Sequence, residues 1–400
     1  MFYRISPYKH ITFPVTIIFL FYNLVFLSSC LDNPDTNPTS TKVFYPDTQF
    51  VMGVDLSYVN AILEQGTKYR DSNGIEKNPY DLFQKLGSNV VRVRKWHTPS
   101  WQTNLYGSIK YHEKNDVLKT ILEAKKHNMK VLLDLHYSDN WADPLKQETP
   151  KAWQGLPLQS LRDSVYQYTL QYLHFLQSNN ATPEYIQIGN ENNGGMCYPV
   201  GRIDNNNFSN FVTLLAAGSK AVRDFSNQSS IKPNIIIHVA QFQSAKWWIE
   251  GILKAGIPFE YDILGVSHYY KWSEVNDWSH LTASINDLIS YTKKDLMVLE
   301  TAFPWTSLNK DNYSNILNSD GIPEGYSIDK TSQNKYLKDL TQAIIDGGGK
   351  GVFYWEPAWI SSPLKDQWGT GSSWENNAFF DFENRLLNSV DYMTFKYTFE

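Results

Sequence analysis

The stretch Tyr185-Ile186-Gln187-Ile188-Gly189-Asn190-Glu191 begins as a short apolar strand and ends in an amide and a carboxylate. Seven other short runs in the chain share this character, being rich in apolar residues that are often β-branched. Such near-continuous apolar runs are typical of strands that are buried on both faces in a parallel sheet. The seven runs occupy 50–55, 90–94, 131–136, 235–239, 263–268, 296–300 and 351–356.

Amphipathic segments of helical length separate these runs. They lie near 79–87, 115–128, 160–178, 208–226, 245–255, 281–293 and 331–346. Gly87, Gly256 and Gly347 stand where helices are expected to end. Repeated strand-then-helix units with right-handed crossovers predict a (β/α)8 TIM barrel, an α/β fold, as a single catalytic domain over residues 45–400. The alternative is an open doubly wound sheet, but no glycine-rich phosphate fingerprint follows the first strand.

The first thirty residues have the pattern of an export signal. Two basic residues, Arg4 and Lys9, precede an interrupted apolar run that ends in Leu27-Ser28-Ser29-Cys30. This ending resembles the lipobox of bacterial lipoproteins, which implies that residues 1–29 are removed and that Cys30 carries a lipid. An ordinary secretory peptide with an incidental cysteine is the alternative. We therefore expect a flexible tether over 30–44 and an extracytoplasmic protein, lipid-anchored to the bacterial outer membrane or cell surface.

Composition excludes one class of partner and hints at another. The chain has 36 Lys and Arg against 41 Asp and Glu, so no basic excess is present to neutralise phosphates, and we expect no nucleic-acid partner. It also contains 13 Trp, 25 Tyr and 21 Phe. Flat amphipathic rings suit sugar ligands, but they also suit a protein core, and on composition alone the core is the favoured interpretation.

Polar residues cluster where the predicted strands end. In a TIM barrel these carboxyl ends face the active site. Burying so many polar groups without a ligand would be costly, so the set predicts a site at the barrel mouth. The residues are Asp55, Arg92, Arg94, Asp134, His136, Asn190, Glu191, His238, His268, Tyr269, Glu300, Trp355 and Glu356.

Two carboxylates in this set are predicted to face each other. Glu191 is predicted to end the fourth strand and Glu300 the seventh, across the barrel mouth. Glycoside hydrolysis needs such a pair, in which one group protonates the departing oxygen and the other attacks the anomeric carbon or activates water. Asn190 is placed to bond a sugar hydroxyl, and Arg92 to keep Glu300 ionised.

Longer motifs resemble glycoside hydrolase family 53, the arabinogalactan endo-β-1,4-galactanases, within a large clan of retaining barrel glycosidases. They run in order from about residue 50 to the C-terminus and occur at every strand but the fifth. The most specific are the Trp-Ala-Asp-Pro string at 141–144 and the Trp-Glu-Pro-Ala-Trp string at 355–359. Further matches lie at 53–57, 92–94, 134–140, 189–191, 299–301 and 377–382.

The resemblance implies that Glu191 is the acid/base, that Glu300 is the nucleophile, and that configuration is retained. It implies that no cofactor takes part in the chemistry. Residues implied to bind substrate are Asp55, Arg92, His136, Trp141, Asn190, Tyr269, Trp355 and Trp359. The expected activity is internal cleavage of β-1,4-galactosidic bonds in galactan, the type I arabinogalactan side chains of pectin, and its partners are galactan polysaccharide and oligosaccharides. We expect a monomer whose contact with the membrane is through its lipid anchor.

Two departures from the family pattern affect the walls of the cleft. They are the segments 192–199 after the fourth strand and 267–272 after the sixth, so the number of subsites and the tolerance of side branches stay open. Some relatives hold a structural calcium ion in the loop after the seventh strand. Here that loop contains Asp311, Asn312 and Asn315, but without a defined ligand spacing, and a solvated polar loop is the favoured interpretation.

Other functions are less well supported by the residues. A metal hydrolase lacks a His-x-His after the first strand and a His-Glu-x-x-His helix, and a Schiff-base aldolase would have only Lys95 near a strand end. A surface lipoprotein that captures glycan without cleaving it would not need both Glu191 and Glu300. A related retaining glycosidase acting on mannan or glucan is the alternative within the enzymes.

Overall fold

The computed structural model describes residues 42–275 and 277–399, and these contain a closed barrel of eight parallel strands. Neighbouring strands pair in the order β1-β10-β9-β8-β7-β4-β3-β2, and β2 closes the ring by pairing with β1. The predicted TIM barrel is confirmed. The barrel strands are β1 (Val51–Asp55), β2 (Val90–Lys95), β3 (Lys130–Leu135), β4 (Tyr185–Ile188), β7 (Asn234–Ala240), β8 (Ile263–Ser267), β9 (Asp295–Glu300) and β10 (Gly351–Tyr354).

Helices connect successive strands and form the outer layer. The capping chemistry explains where α2 begins and ends: the Asn78 side chain accepts from the backbone N–H of Tyr80, Pro79 opens the helix, and Gly87 ends it at φ 106°. The helices are α1 (Val59–Glu64), α2 (Pro79–Leu86), α3 (Thr103–Tyr106), α4 (Lys114–Lys126), α5 (Leu158–Ser178), α6 (Ser209–Ser226), α7 (Phe242–Lys254), α8 (Trp278–Thr292) and α9 (Lys330–Asp346).

Side chains fill the inside of the barrel. One buried cluster contains residues from all eight barrel strands, and a larger one lies between the strands and the helices. Gly53 of β1 pairs with Phe353 of β10, and a Cβ atom at Gly53 would lie 2.1 Å from the Phe353 ring. Gly53 therefore makes room for the Phe353 ring in the barrel interior. The interior cluster comprises Val51, Val90, Leu132, Tyr185, Ile236, Ile263, Met297, Leu299 and Phe353.

The segment 42–50 lies across the amino-terminal end of the barrel. Asp47 accepts from Lys130, the first residue of β3, at 2.6 Å. The Asn89 amide, just before β2, donates to the carbonyl of Tyr45 at 3.0 Å. Val43 donates through its backbone to Thr394 at 2.9 Å, which joins this segment to the C-terminal part of the chain. The described chain thus enters the domain at the end opposite the strand carboxyl ends.

Several elements differ from the sequence prediction. β4 ends at Ile188 rather than at Glu191, because Gly189 and Glu191 take positive φ values of 79° and 44° and turn the chain out of the sheet. The short helices α1 and α3 were not predicted. Nor was the antiparallel pair β5 (Gly195–Met196) and β6 (Gly201–Arg202), which lies in the loop after β4.

The predicted signal peptide, Cys30 and most of the tether lie outside the described residues. Within 42–275 and 277–399, no helix has both the length and the apolar content to cross a membrane. Cys197 is buried and forms no disulfide within the part of the chain that the structure describes.

Candidate active site

A cleft of about 890 Å³ opens at the carboxyl ends of the barrel strands. Its floor consists of polar residues from the strand ends, and its sides consist of loop residues, many of them aromatic. Among the residues that line it are Arg92, Asp134, His136, Trp141, Asn190, Glu191, Tyr269, Glu300, Trp355 and Trp359. The cleft lining runs from Arg92 to Trp374, so the structure brings together residues that are up to 282 positions apart in the chain.

Glu191 and Glu300 face each other in this cleft. A carboxylate oxygen of each and a ring nitrogen of His238 all lie within 4.8 Å of one another. Carboxyl groups about 5–5.5 Å apart are typical of retaining glycosidases, whereas inverting enzymes separate them by about 6.5–9.5 Å to admit a water. This spacing fits a mechanism in which one carboxylate attacks the anomeric carbon directly while the other donates and accepts the proton.

The Arg92 guanidinium bonds to side chains at several strand ends beneath Glu191 and Glu300. Its Nη1 lies 2.8 Å from Glu300 Oε1 and 3.1 Å from Asp55 Oδ2. Its Nη2 donates to Asp134 and to the Asn190 side chain, each at 2.8 Å. A guanidinium with donors pointing in several fixed directions suits such a hub. Glu300 is further held by the Tyr269 hydroxyl, which donates to its Oε2 at 3.0 Å.

The two carboxyl groups have different electrostatic surroundings. Burial among the cleft walls raises the pKa of Glu191 well above its ordinary value, and the nearby charge of Glu300 raises it further. Burial also raises the pKa of Glu300, but the adjacent Arg92 opposes that rise. Arg92 therefore favours the ionised form of Glu300, as the sequence predicted, although burial outweighs it. Glu191 is the group more inclined to hold a proton.

His238, on β7, fixes the backbone around the acid. Burial lowers the pKa of its imidazole well below the ordinary value, so the ring is neutral. Nδ1 accepts from the Glu191 backbone N–H at 3.2 Å and from Gln187 Nε2 at 3.0 Å, which leaves Nε2–H to donate to Ser267 Oγ at 2.9 Å. Both ring nitrogens are engaged by protein groups, so His238 is not a free metal ligand beside the carboxylates.

Tryptophan side chains form one side of the cleft. The Trp355 ring centre lies 5.9 Å from that of Trp141, 6.0 Å from Trp359 and 4.7 Å from Trp374. The Trp374 indole donates to the Trp355 carbonyl at 3.0 Å, and the Trp359 indole donates to Gly371 at 3.3 Å. These bonds hold the rings at fixed angles, as a surface for a flat apolar ligand face requires.

Comparison with known proteins identifies the family. The model of glycosyl hydrolase family 53 matches residues 51–393.

The chain belongs to glycosyl hydrolase family 53.

Family 53 relatives match along most of their length. The chain is 38% identical over 338 residues to an arabinogalactan endo-β-1,4-galactanase of Cellvibrio japonicus, covering 84% of this chain and 87% of the relative. It is 30% identical to an endo-β-1,4-galactanase of Bacillus subtilis, covering 87% of this chain and 86% of that protein. The family 53 catalytic domain of Ignisphaera aggregans superposes with a TM-score of 0.79 at 32% identity, covering 88% of this chain and 98% of that domain.

One residue that the family resemblance implied to bind substrate lies outside the cleft. Asp55 is fully buried, accepts from Ser57 and Arg92, and does not line the cleft. It is placed to orient Arg92 rather than to contact a sugar. The remaining implied residues, Arg92, His136, Trp141, Asn190, Tyr269, Trp355 and Trp359, all line the cleft.

Sequence reasoning missed part of the cleft wall. Tyr313, Trp368 and Trp374 also line it, as does Gln241 just after the fifth barrel strand. Trp272 lines it too, within the segment 267–272 that was expected to shape the cleft. The tryptophans at 368 and 374 lie in an aromatic stretch beyond the eighth strand, which was the available signal. Gln241 follows the one strand without a family match, and it has no such signal.

The structure also places the loop in which calcium was considered. Asp311 accepts from the backbone N–H groups of Tyr313 and Ser372, at 2.8 and 2.9 Å, and Asn312 is exposed. Among the described residues, Asn315 Oδ1 and Glu375 Oε2 are buried oxygens without a partner. Calcium takes about six to eight oxygen ligands. As placed, these residues do not fit a calcium cage, and a hydrogen-bonded polar loop describes them better.

Proposed function

We propose that this protein hydrolyses internal β-1,4-galactosidic bonds in galactan, the type I arabinogalactan side chains of pectin, with retention of configuration. The observation that carries the proposal is the pair Glu191 and Glu300, within 4.8 Å of each other in a cleft lined by tryptophans. The substrate class is supported by the family and by relatives described as endo-β-1,4-galactanases.

In the first step Glu300 attacks the anomeric carbon, and Glu191 gives its proton to the departing glycosidic oxygen. A covalent glycosyl-enzyme forms, and the bond to the leaving sugar breaks. In the second step Glu191, now ionised, removes a proton from water as the water attacks the same carbon and releases Glu300. The raised pKa of Glu191 suits the first role, because the group must enter the reaction protonated.

The neighbouring residues assist these steps. Arg92 and the Tyr269 hydroxyl hold Glu300 in a fixed orientation, one on each carboxylate oxygen. Asn190 is held by Arg92 and by the Ala142 carbonyl, next to the place of a sugar hydroxyl on the cleaved residue. The Trp355 ring provides the platform under that sugar, where its face meets the apolar C–H face of galactose.

We further propose that the protein is lipidated at Cys30, is held at the bacterial surface outside the cytoplasm, and acts as a monomer. The Leu27-Ser28-Ser29-Cys30 motif supports the anchor. Growth with an alkyne-labelled fatty acid should label the wild-type chain and not Cys30→Ser. Equal labelling of the two chains would contradict the lipid anchor and leave the cleft chemistry untouched.

Digestion of linear β-1,4-galactan, with products resolved over time, tests the main proposal. Early appearance of mixed oligosaccharides is the expected result, and NMR of the first products should show the β-anomer before mutarotation. Glu300→Gln is the matched inactive control. Release of only the shortest sugars would contradict internal cleavage. Binding without cleavage would favour glycan capture, and cleavage of mannan or glucan instead would overturn the substrate class.

A further inference from the structure

Arg94 lies two residues beyond Arg92 on β2, and its guanidinium is buried in the wall of the cleft. Its Nη1 donates to Glu356 Oε1 at 2.9 Å. Among the described residues, Nε and Nη2 have no hydrogen-bond partner, and both atoms are closed to solvent. The Nε and Nη2 donors therefore cannot reach a sugar in the cleft. Arg94 also takes no part in the two steps of galactan hydrolysis.

Aromatic rings take the place of the missing hydrogen-bond partners. The Cζ atom of Arg94 lies 4.2 Å from the ring centre of Trp141, 4.6 Å from that of Tyr58 and 5.5 Å from that of Trp96. A guanidinium is attracted to the faces of such rings, and the attraction is stronger when water is excluded. The main non-covalent neighbour of Arg94 on the cleft side is thus Trp141.

Trp141 is half-buried and lines the cleft beside Trp355 and His136, with ring centres 5.9 and 6.0 Å away. It belongs to the loop after β3, not to a strand, so the barrel backbone does not fix its ring. Besides Arg94, the ring packs edge-on against Trp96 at 5.4 Å. Contacts behind the ring therefore decide its orientation.

Glu356 completes the arrangement from the opposite side of the guanidinium. It is fully buried just after β10, at φ 48°, and its Oε2 has no partner among the described residues. Burial raises the pKa of this carboxyl well above its ordinary value, and Arg94 opposes the rise. A single hydrogen bond joins the two groups, so Glu356 fixes one end of the guanidinium and leaves its faces to the rings.

We propose that Arg94 is a positioning residue for substrate binding, which holds the Trp141 ring as a second sugar platform next to Trp355. Glu356 anchors Arg94 in this role. The inference rests on the proposed function, because it assumes that a galactan chain lies along the cleft. It assigns Arg94 to affinity for the chain and not to the chemical step.

A double-mutant cycle on galactan hydrolysis tests the inference. Arg94→Met removes the cation and keeps much of the side-chain volume. We expect it to raise KM about fivefold, with kcat within about twofold of wild type. Trp141→Ala should raise KM at least as much. If Arg94 acts through Trp141, the combined variant should be no worse than Trp141→Ala alone. On a short aryl galactoside, which occupies less of the cleft, the rise in KM caused by Arg94→Met should be smaller than on galactan.

Additive effects of the two substitutions on KM, or a fall in kcat at constant KM, would overturn the inference. If Arg94→Met does not fold, the cycle is run with Arg94→Lys, which keeps a charge for Glu356 but loses the flat guanidinium. Additive effects of Arg94→Lys and Trp141→Ala on KM would also overturn the inference. The two proposals fail separately: a wild-type chain that does not cleave galactan contradicts the proposed function, whereas additivity in an active enzyme contradicts only the role of Arg94.

Discussion

Arg92 and Arg94 lie on the same side of the same strand, yet they belong to different regions of the cleft. Arg92 is part of a polar floor, in which all three guanidinium nitrogens bond to side chains from the ends of other barrel strands. Arg94 is part of an aromatic wall, with one hydrogen bond and three rings around it. The difference indicates that the floor places charges for chemistry, while the wall sets the shape that binds the polymer.

The largest effect is expected at the floor. Glu191→Gln cannot donate a proton, and general acid catalysis contributes about 10²–10⁴-fold, so the rate on galactan should fall within that range. On an aryl galactoside with a good leaving group, the first step needs little acid assistance. Burst kinetics on that substrate should therefore keep a fast first phase. A variant with equal losses on both substrates would contradict the acid role.

A matched pair of lysine substitutions should separate floor from wall. Arg92→Lys keeps one charge but cannot contact Asp55, Asp134 and Glu300 together, so we expect kcat to fall about a hundredfold, or about 2.7 kcal/mol of barrier. Arg94→Lys should affect mainly KM. The measurement is kcat and KM of both variants on galactan. Similar losses of kcat in Arg92→Lys and Arg94→Lys would contradict the functional difference between the floor and the wall.

The raised pKa of Glu191 makes a prediction about stability. Its carboxyl is neutral in both states well below pH 4.5, the ordinary value. As the pH rises above this value, the unfolded chain ionises first, so the folded state loses stability until its own pKa is passed. Glu191→Gln avoids this loss, and it should gain about 1.4 kcal/mol over wild type for each unit of raised pKa. Urea unfolding at pH 4 and pH 8 checks this, and an advantage that shrinks at the higher pH would contradict it.

The smallest effect is expected at the outer end of the wall. Trp368 lines the cleft and is 49% exposed, whereas Trp247 on α7 is 45% exposed and lies outside the cleft. Trp368→Ala should raise KM for galactan about threefold, in line with the loss of one aromatic contact of about 0.5–1 kcal/mol. Trp247→Ala is the control and should leave KM unchanged. Equal KM values for Trp368→Ala and Trp247→Ala would contradict a role of Trp368 in substrate binding.

Sequence reasoning was most successful where the barrel itself fixes the geometry. Glu300 ends β9 as predicted, because strand periodicity and the shared direction of parallel strands determine where strand ends point. It was least successful in the wall. Trp374 and Gln241 are placed by irregular loops, whose course depends on tertiary hydrogen bonds such as the one from the Trp374 indole to Trp355. Local patterns carry little information about such contacts.

The course of residues 42–50 determines which side of the domain an attached group would occupy. Asp47 and Tyr45 bond to residues at the starts of β3 and β2, at the base of the barrel, whereas Glu191 and Glu300 lie at its mouth. A group fused before residue 42 would therefore be attached at the base of the barrel, on the side opposite the active site. A bead, a surface or a second module attached there would leave the barrel mouth free to approach a polymeric substrate.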